Sequence, residues 1–184
     1  LSGRQQREAV REAFEAWNRV HGADIEFVEA TDDVPKGKVN SIFWTKDWAY
    51  DRGIVALTST WSTPEGAIER FQIAINARDP QWSIDGKGMD LQNAMTHEVG
   101  HVLGLDHTDE HREATMYATA VEGELSKREL HWDDQDGVQF LYPDLSELEG
   151  EWLTLNCSSA SLAPAWLTSF LPFIALMRRR RSTP

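Results

Sequence analysis

HEVGHVLGLDH, residues His97 to His107, packs three histidines and one glutamate into eleven positions. Residues four apart on a helix point the same way one turn apart, so His97 and His101 can aim their imidazoles at one point. Two ligands hold zinc weakly, and a continued helix would carry position 107 along the axis, away from that point. Gly104 removes the difficulty: a glycine can take the positive φ that ends a helix and folds the chain back, letting His107 supply a third nitrogen. Three nitrogens leave one tetrahedral position of a zinc ion open to water, the catalytic rather than the structural arrangement. Glu98 cannot share the ligand direction of His97, but it can reach water at the open position and take its proton as general base. Zinc lowers the pKa of such water from about 15.7 toward about 7. The set therefore describes hydrolysis of a polarised carbonyl. A single HExxH, or a single helical histidine, is commonly packed or solvated; only a metal requires the three histidines, the glutamate and the glycine together.

The residues before the motif read as its supporting helix, with Asp90 as N-cap and Leu91, Met95, Val99 and Val102 as the buried stripe. Upstream, SGRQQREAVREAFEAWNRV opens with Ser2 and Gln5 in a capping-box pattern, and Val10, Phe14, Trp17 and Val20 follow at helical spacing. Between these helices lie four β-type runs: Ile25 to Glu29, Val39 to Trp44, Gly53 to Thr60 and Glu69 to Asn76. In the last, Phe71, Ile73 and Ile75 alternate with Gln72, Ala74 and Asn76, as in a strand with one buried face. A third helix is expected over Asp133 to Tyr142, with two acids in its first turn and Pro143 as its stop. Together these give an α+β chain in which a mixed four- or five-stranded sheet lies beside three helices.

At 184 residues the chain suffices for one domain with a real core plus appendages. The formal net charge is −12; four of the 18 basic residues are Arg178 to Arg181, which leaves Leu1 to Asn156 with 14 basic against 30 acidic residues, a net −16. A body that acidic repels phosphate backbones and argues against nucleic-acid binding. The one cysteine, Cys157, permits no intramolecular disulfide, so cysteine usage does not identify the compartment.

HEVGHVLGLDH matches the HExxHxxGxxH pattern of the metzincin metalloproteases, and its LGLDH ending resembles the matrixin branch. ATMY places Met116 nine residues after His107, similar to the methionine of the Met-turn beneath a metzincin metal. LHWDDQDGVQFLYP, from Leu130, is similar to the final matrixin helix, and GIVALTST resembles the edge strand above the cleft. The resemblance runs from about Arg4 to Pro143. It implies a matrixin-like catalytic domain over residues 1–143, with a twisted sheet and an active-site helix carrying the HExxH. It implies a zinc endopeptidase in which His97, His101 and His107 bind one catalytic Zn2+, Glu98 is the base and Met116 supports the site. The substrate would be a protein or peptide, paired as an added strand near Val55 to Leu57. The loop Tyr117 to Glu129 is expected to wall the pocket beside the metal.

The chain also departs from animal matrixins. Their edge strand carries a histidine for a structural zinc roughly where Leu57 stands, and no histidine occurs between Gly22 and Thr96, so a second zinc is not expected. SIDGKGMD has acids that could bind Ca2+, but its spacing matches no calcium loop, and a surface loop is the expectation. His111 is expected to lead into the Met-turn rather than to compete as a ligand, and His21 and His131 to be structural or solvated. For most of Trp44, Trp48, Trp61 and Trp82 the expectation is core packing.

Residues 144–156 form an acidic linker, and residues 157–184 a tail of different character. Leu162 to Met177 holds no charge, but its 16 residues would make about 24 Å of helix against about 30 Å of hydrocarbon. Four arginines follow at once, as in a stop-transfer signal. The order Cys-Ser, apolar run, arginine cluster resembles bacterial sorting tails of the MYXO-CTERM kind. That resemblance implies processing and attachment at Cys157, sorting machinery as a partner, transient membrane contact, and display outside the cytoplasm on the bacterial envelope. The expectation extends to an N-terminal export signal missing from the sequence. Two other functions fit the residues less fully: a non-enzymatic, zinc-stabilised surface adhesion module, and a zinc exopeptidase.

Overall fold

The structure is a computed structural model that describes residues 1–30 and 40–146. The acidic linker from residue 147 onward and the whole tail, with Cys157, lie outside the described residues. By its internal contacts, Leu1–Leu145 forms one unit. Among the described residues, no helix is long and apolar enough to cross a membrane.

Helix α1 spans Gly3–Asn18, and its first turn is closed as the sequence implies: Ser2 and Gln5 form a reciprocal capping box. The face it buries consists of Ala9, Ala13 and Trp17, with Val10 and Phe14 at its margins. Two alanines at that spacing let the helix approach α2, Leu91–Val102, closely. Trp17 then donates its indole N–H to the Thr96 carbonyl at 2.9 Å. Asp90 caps α2 by accepting from the Asn93 amide at 2.9 Å, and Leu91, Met95, Val99 and Val102 are all buried.

Three strands form the main sheet: β1 (Ser41–Thr45), β2 (Ala56–Ser62) and β3 (Ile68–Asn76), in the order β1-β3-β2. β1 runs parallel to β3 and β2 antiparallel to it, so the sheet is mixed. The period-two reading of β3 holds, with Phe71, Ile73 and Ile75 buried against the helices. A parallel pair of two-residue strands, β4 (Trp82–Ser83) and β5 (Met89–Asp90), makes a separate small sheet before α2. Among the described residues, the five strands are thus divided between two sheets.

Ile25 to Glu29 does not join a sheet. The side-chain amide of Asn18 takes the place of a neighbouring strand: its oxygen accepts from the Phe27 N–H at 2.8 Å and its nitrogen donates to the Phe27 carbonyl at 3.1 Å. The tryptophans also differ from expectation. Of the four, Trp48 is buried and Trp82 packs half-buried against the core; Trp44, edge-on to Trp82, and Trp61, beneath the Arg70 guanidinium at 3.6 Å, are exposed. Helix α3, Trp132–Leu141, begins one residue before the expected start because His131 acts as its N-cap, in a capping box with Asp134.

The core falls into two clusters. One fills the space between the sheet, α1 and α2; the other joins Trp17, Val99, Leu103, Met116 and Val138 beneath the second half of α2. That second cluster is the floor on which the histidines rest.

Candidate metal centre

α2 presents His97 and His101 one turn apart, and the chain then reverses. Gly104 has φ +90°, the Leu105 N–H reaches back to the Gly100 carbonyl at 3.1 Å, and His107 swings over the helix end. The Nε2 atoms of His97 and His101 lie 3.2 and 3.1 Å from that of His107. These three are the one group of metal-ligating side chains found converging among the described residues.

Backbone carbonyls orient the two helical rings. His97 Nδ1 lies 2.7 Å from the Thr115 carbonyl and His101 Nδ1 2.8 Å from that of Leu105. A carbonyl only accepts, so each Nδ1 carries the proton and each Nε2 presents a lone pair to the common point. His107 can donate to one of its neighbours at most, leaving lone pairs facing one another at close range. A cation at the centre satisfies all three at once, and three imidazole nitrogens with backbone-bonded Nδ1 atoms are a donor set suited to zinc. Burial pushes the His97 imidazole down to about 3, against the opposing bond from Thr115; the positive charges of Lys127 and the other two histidines act in the same direction as burial. His107 is lowered too, again chiefly by burial. Neutral imidazoles are the form that binds a metal.

Glu98 is buried at 6 % exposure, and that burial raises its pKa. Two groups pull the other way. The Thr58 hydroxyl on β2 lies 2.5 Å from Glu98 Oε2, and positive charge on a protonated His101 would favour the carboxylate too. Thr58 carries no signal in the sequence that marks it for this place.

Met116 lies beneath α2, 2 % exposed, with its sulfur against the bare Cα of Gly100: a Cβ there would stand 2.2 Å from Met116 Sδ. The turn holding Met116 is fixed by Asp134, a carboxylate only 2 % exposed. One oxygen accepts from the Thr115 and His131 amides at 2.8 and 2.9 Å, the other from the Met116 amide at 2.9 Å. One of the two acids in the first turn of α3 thus holds, through Thr115, the carbonyl that orients His97. Lys127 is also buried, donating from Nζ to the Tyr117 carbonyl, and burial lowers its pKa against the raising influence of Glu124 and Asp134.

His111 turns away from the triad, toward His131, Trp132 and Asp133 at the start of α3. The acids of SIDGKGMD have cationic partners: Asp85 bonds Lys87 at 2.7 Å, and Asp90 bonds Arg128 at 2.5 Å.

The sequence profile described as matrixin, of peptidase family M10, matches residues 1–143. Similar proteins include metalloendoproteinase 4-MMP of Arabidopsis thaliana, 31 % identical over 140 residues that cover 74 % of this chain and 40 % of the relative. Stromelysin-3 of Rattus norvegicus is 32 % identical over 75 % of this chain and 27 % of its own length. Karilysin of Tannerella forsythia is 29 % identical over 77 % of this chain and 29 % of its own length. The matches thus span well under half the length of these relatives. With a match over its first 143 residues and a histidine triad fit for the zinc that matrixins use, the chain belongs to the matrixin family.

Proposed function

We propose that the chain is a zinc-dependent endopeptidase in which His97, His101 and His107 hold the metal and Glu98 is the general base. The observation that carries this reading is the convergence of three Nε2 atoms next to a buried carboxylate. A purely structural zinc site has no use for a base beside an open coordination position. Zinc bound by the triad supplies the Lewis acidity that polarises a peptide carbonyl and makes water a nucleophile near neutral pH. Glu98 takes the proton from the attacking water and later gives it to the departing amine nitrogen. Thr115 and Leu105 keep the helical imidazoles aimed, and Met116 supports them from below. β2 lies at one edge of its sheet, so a peptide can add to it as a strand near Val55 to Leu57.

Under the same proposal the protein works outside the cytoplasm, displayed on a bacterial envelope through its tail. The supporting features are those of sequence alone: Cys157, the apolar run and Arg178 to Arg181. An intact Arg178 to Pro184 end on mature surface protein, detected by mass spectrometry, would refute processing.

The deciding assay compares wild type and Glu98→Ala on a mixed peptide library. Wild type is expected to cut internally, and the variant to lose about 10²- to 10⁴-fold in rate while keeping zinc. Equal cleavage by both would refute the role of Glu98. No cleavage by either, with zinc bound, would favour the adhesion module, and terminal cuts alone an exopeptidase.

A further inference from the structure

We propose that Thr58 is a positioning residue for this chemistry, acting through Glu98. The proposal rests on the peptidase reading and adds to it a group from the sheet.

Thr58 lies in the middle of β2, opposite Ile73 of β3, and its hydroxyl points at α2. Its Oγ1 stands 2.5 Å from Glu98 Oε2 and 3.1 Å from the Glu98 backbone carbonyl. A hydroxyl has one hydrogen, and the shorter, charge-assisted contact to the carboxylate takes it. A β-branched residue in a strand has a stiff χ1, so the donor is held by the backbone of β2. Glutamate in contrast has several rotatable bonds, and an unrestrained carboxylate would spend much of its time elsewhere. Tethering Oε2 leaves Oε1 as the oxygen that receives the proton.

The proton balance keeps Thr58 a bystander. An O–H bond of the attacking water breaks and its proton goes to Glu98 Oε1, while the oxygen's electron pair forms the bond to the carbonyl carbon. The proton then moves to the amide nitrogen as the C–N bond breaks. The Thr58 O–H bond is neither made nor broken. What Thr58 supplies is register: the base is tethered to the same strand whose open edge would align the peptide, so carboxylate and substrate share one frame.

The test uses the full chain with Thr58→Val, which keeps the shape and removes the donor, and Thr58→Ser, which keeps the donor. Losing a hydrogen bond to a charged group predicts a fall in kcat of about tenfold to a hundredfold for Thr58→Val, with KM and zinc affinity unchanged. Thr58→Ser is expected to restore most of it. A second readout needs no activity: in metal-free protein, the loss of unfolding stability caused by Thr58→Val should largely vanish in a Glu98→Ala background. Unchanged kcat in Thr58→Val, a loss carried by KM or zinc affinity instead, or full additivity with Glu98→Ala would each overturn the proposal. Wild type that cleaves nothing would overturn the peptidase reading itself, a different result from an active wild type indifferent to Thr58.

Discussion

Gly100→Ala adds one methyl group at the centre of the metal-binding helix, and the structure sets its cost. The new Cβ would stand 2.2 Å from Met116 Sδ and 3.0 Å from Trp17 Cζ2, where ordinary contact begins at 3.4 Å. The sulfur must therefore retreat by about 1.2 Å, the difference between 2.2 and 3.4. A methionine on a surface would do so freely. Here Met116 and Trp17 are 2 % and 0 % exposed, and the indole is pinned by its bond to the Thr96 carbonyl. Overpacking of this kind costs about 1–3 kcal/mol, the upper end being apt where both neighbours are enclosed. Alanine recovers about 1 kcal/mol over glycine in a helix, so the net loss expected is about 2 kcal/mol. That corresponds to a fall in Tm of about 4–8 °C for a domain of this size. Urea unfolding of the metal-free protein measures it, and competition with a chelator should show weaker zinc binding, because Met116 adjoins the Thr115 carbonyl that holds His97. Repeating the substitution in a Met116→Ala background removes the sulfur, and there the added methyl should be close to neutral. Equal destabilisation in both backgrounds, or none in wild type, would refute the steric argument.

Asp134→Asn keeps the shape but turns one acceptor into a donor facing an amide, so a loss of about 3 kcal/mol is expected from one broken charged bond and one stranded N–H. Denaturant unfolding checks the loss, and weakened zinc affinity should accompany it through Thr115. Acid should destabilise the metal-free protein through His97. Its pKa is pushed down to about 3 in the fold, so below the ordinary value near 6.5 the unfolded chain binds a proton that the folded chain refuses. Stability is then lost as pH falls from about 6.5 toward 3, by a few kcal/mol at the end of that window. Unfolding midpoints at pH 7 and 4.5 should separate more in wild type than in a His97→Gln variant, and equal separation would contradict it.

Much of the site could be read in the sequence because helix periodicity and a single glycine constrain it. His97 and His101 needed only the four-residue repeat, and His107 needed Gly104 at φ +90°. The caps at Ser2 and Asp90 were equally local. Ile25 to Glu29 misled because its residues suit a strand while its hydrogen-bond partner is a side chain, Asn18, and no pattern within the run reveals that. The same limit hid the groups that aim the imidazoles. Thr115 and Leu105 act through backbone carbonyls, which every residue has. Thr58 lies 40 positions before Glu98 and meets it only because β2 packs over α2.

The clamp formed by Asp134 has a consequence for the order in which the protein is made. A chain emerges from its N-terminus first, so all three histidines are available while α3 is still unmade. Until Asp134 arrives, the Thr115 and Met116 amides lack their acceptor, and the carbonyl that aims His97 has no fixed place. Tight metal capture is therefore expected to wait for α3, which docks through the Tyr142 hydroxyl to the Leu103 carbonyl at 2.8 Å and the Tyr142 carbonyl to the Asp24 amide at 2.7 Å. A nascent or truncated chain ending before Asp134 carries every ligand and is expected to bind zinc more weakly than the full chain, which chelator competition would measure. The fold thus ties the order of the metal site to a helix that follows all three ligands in the chain.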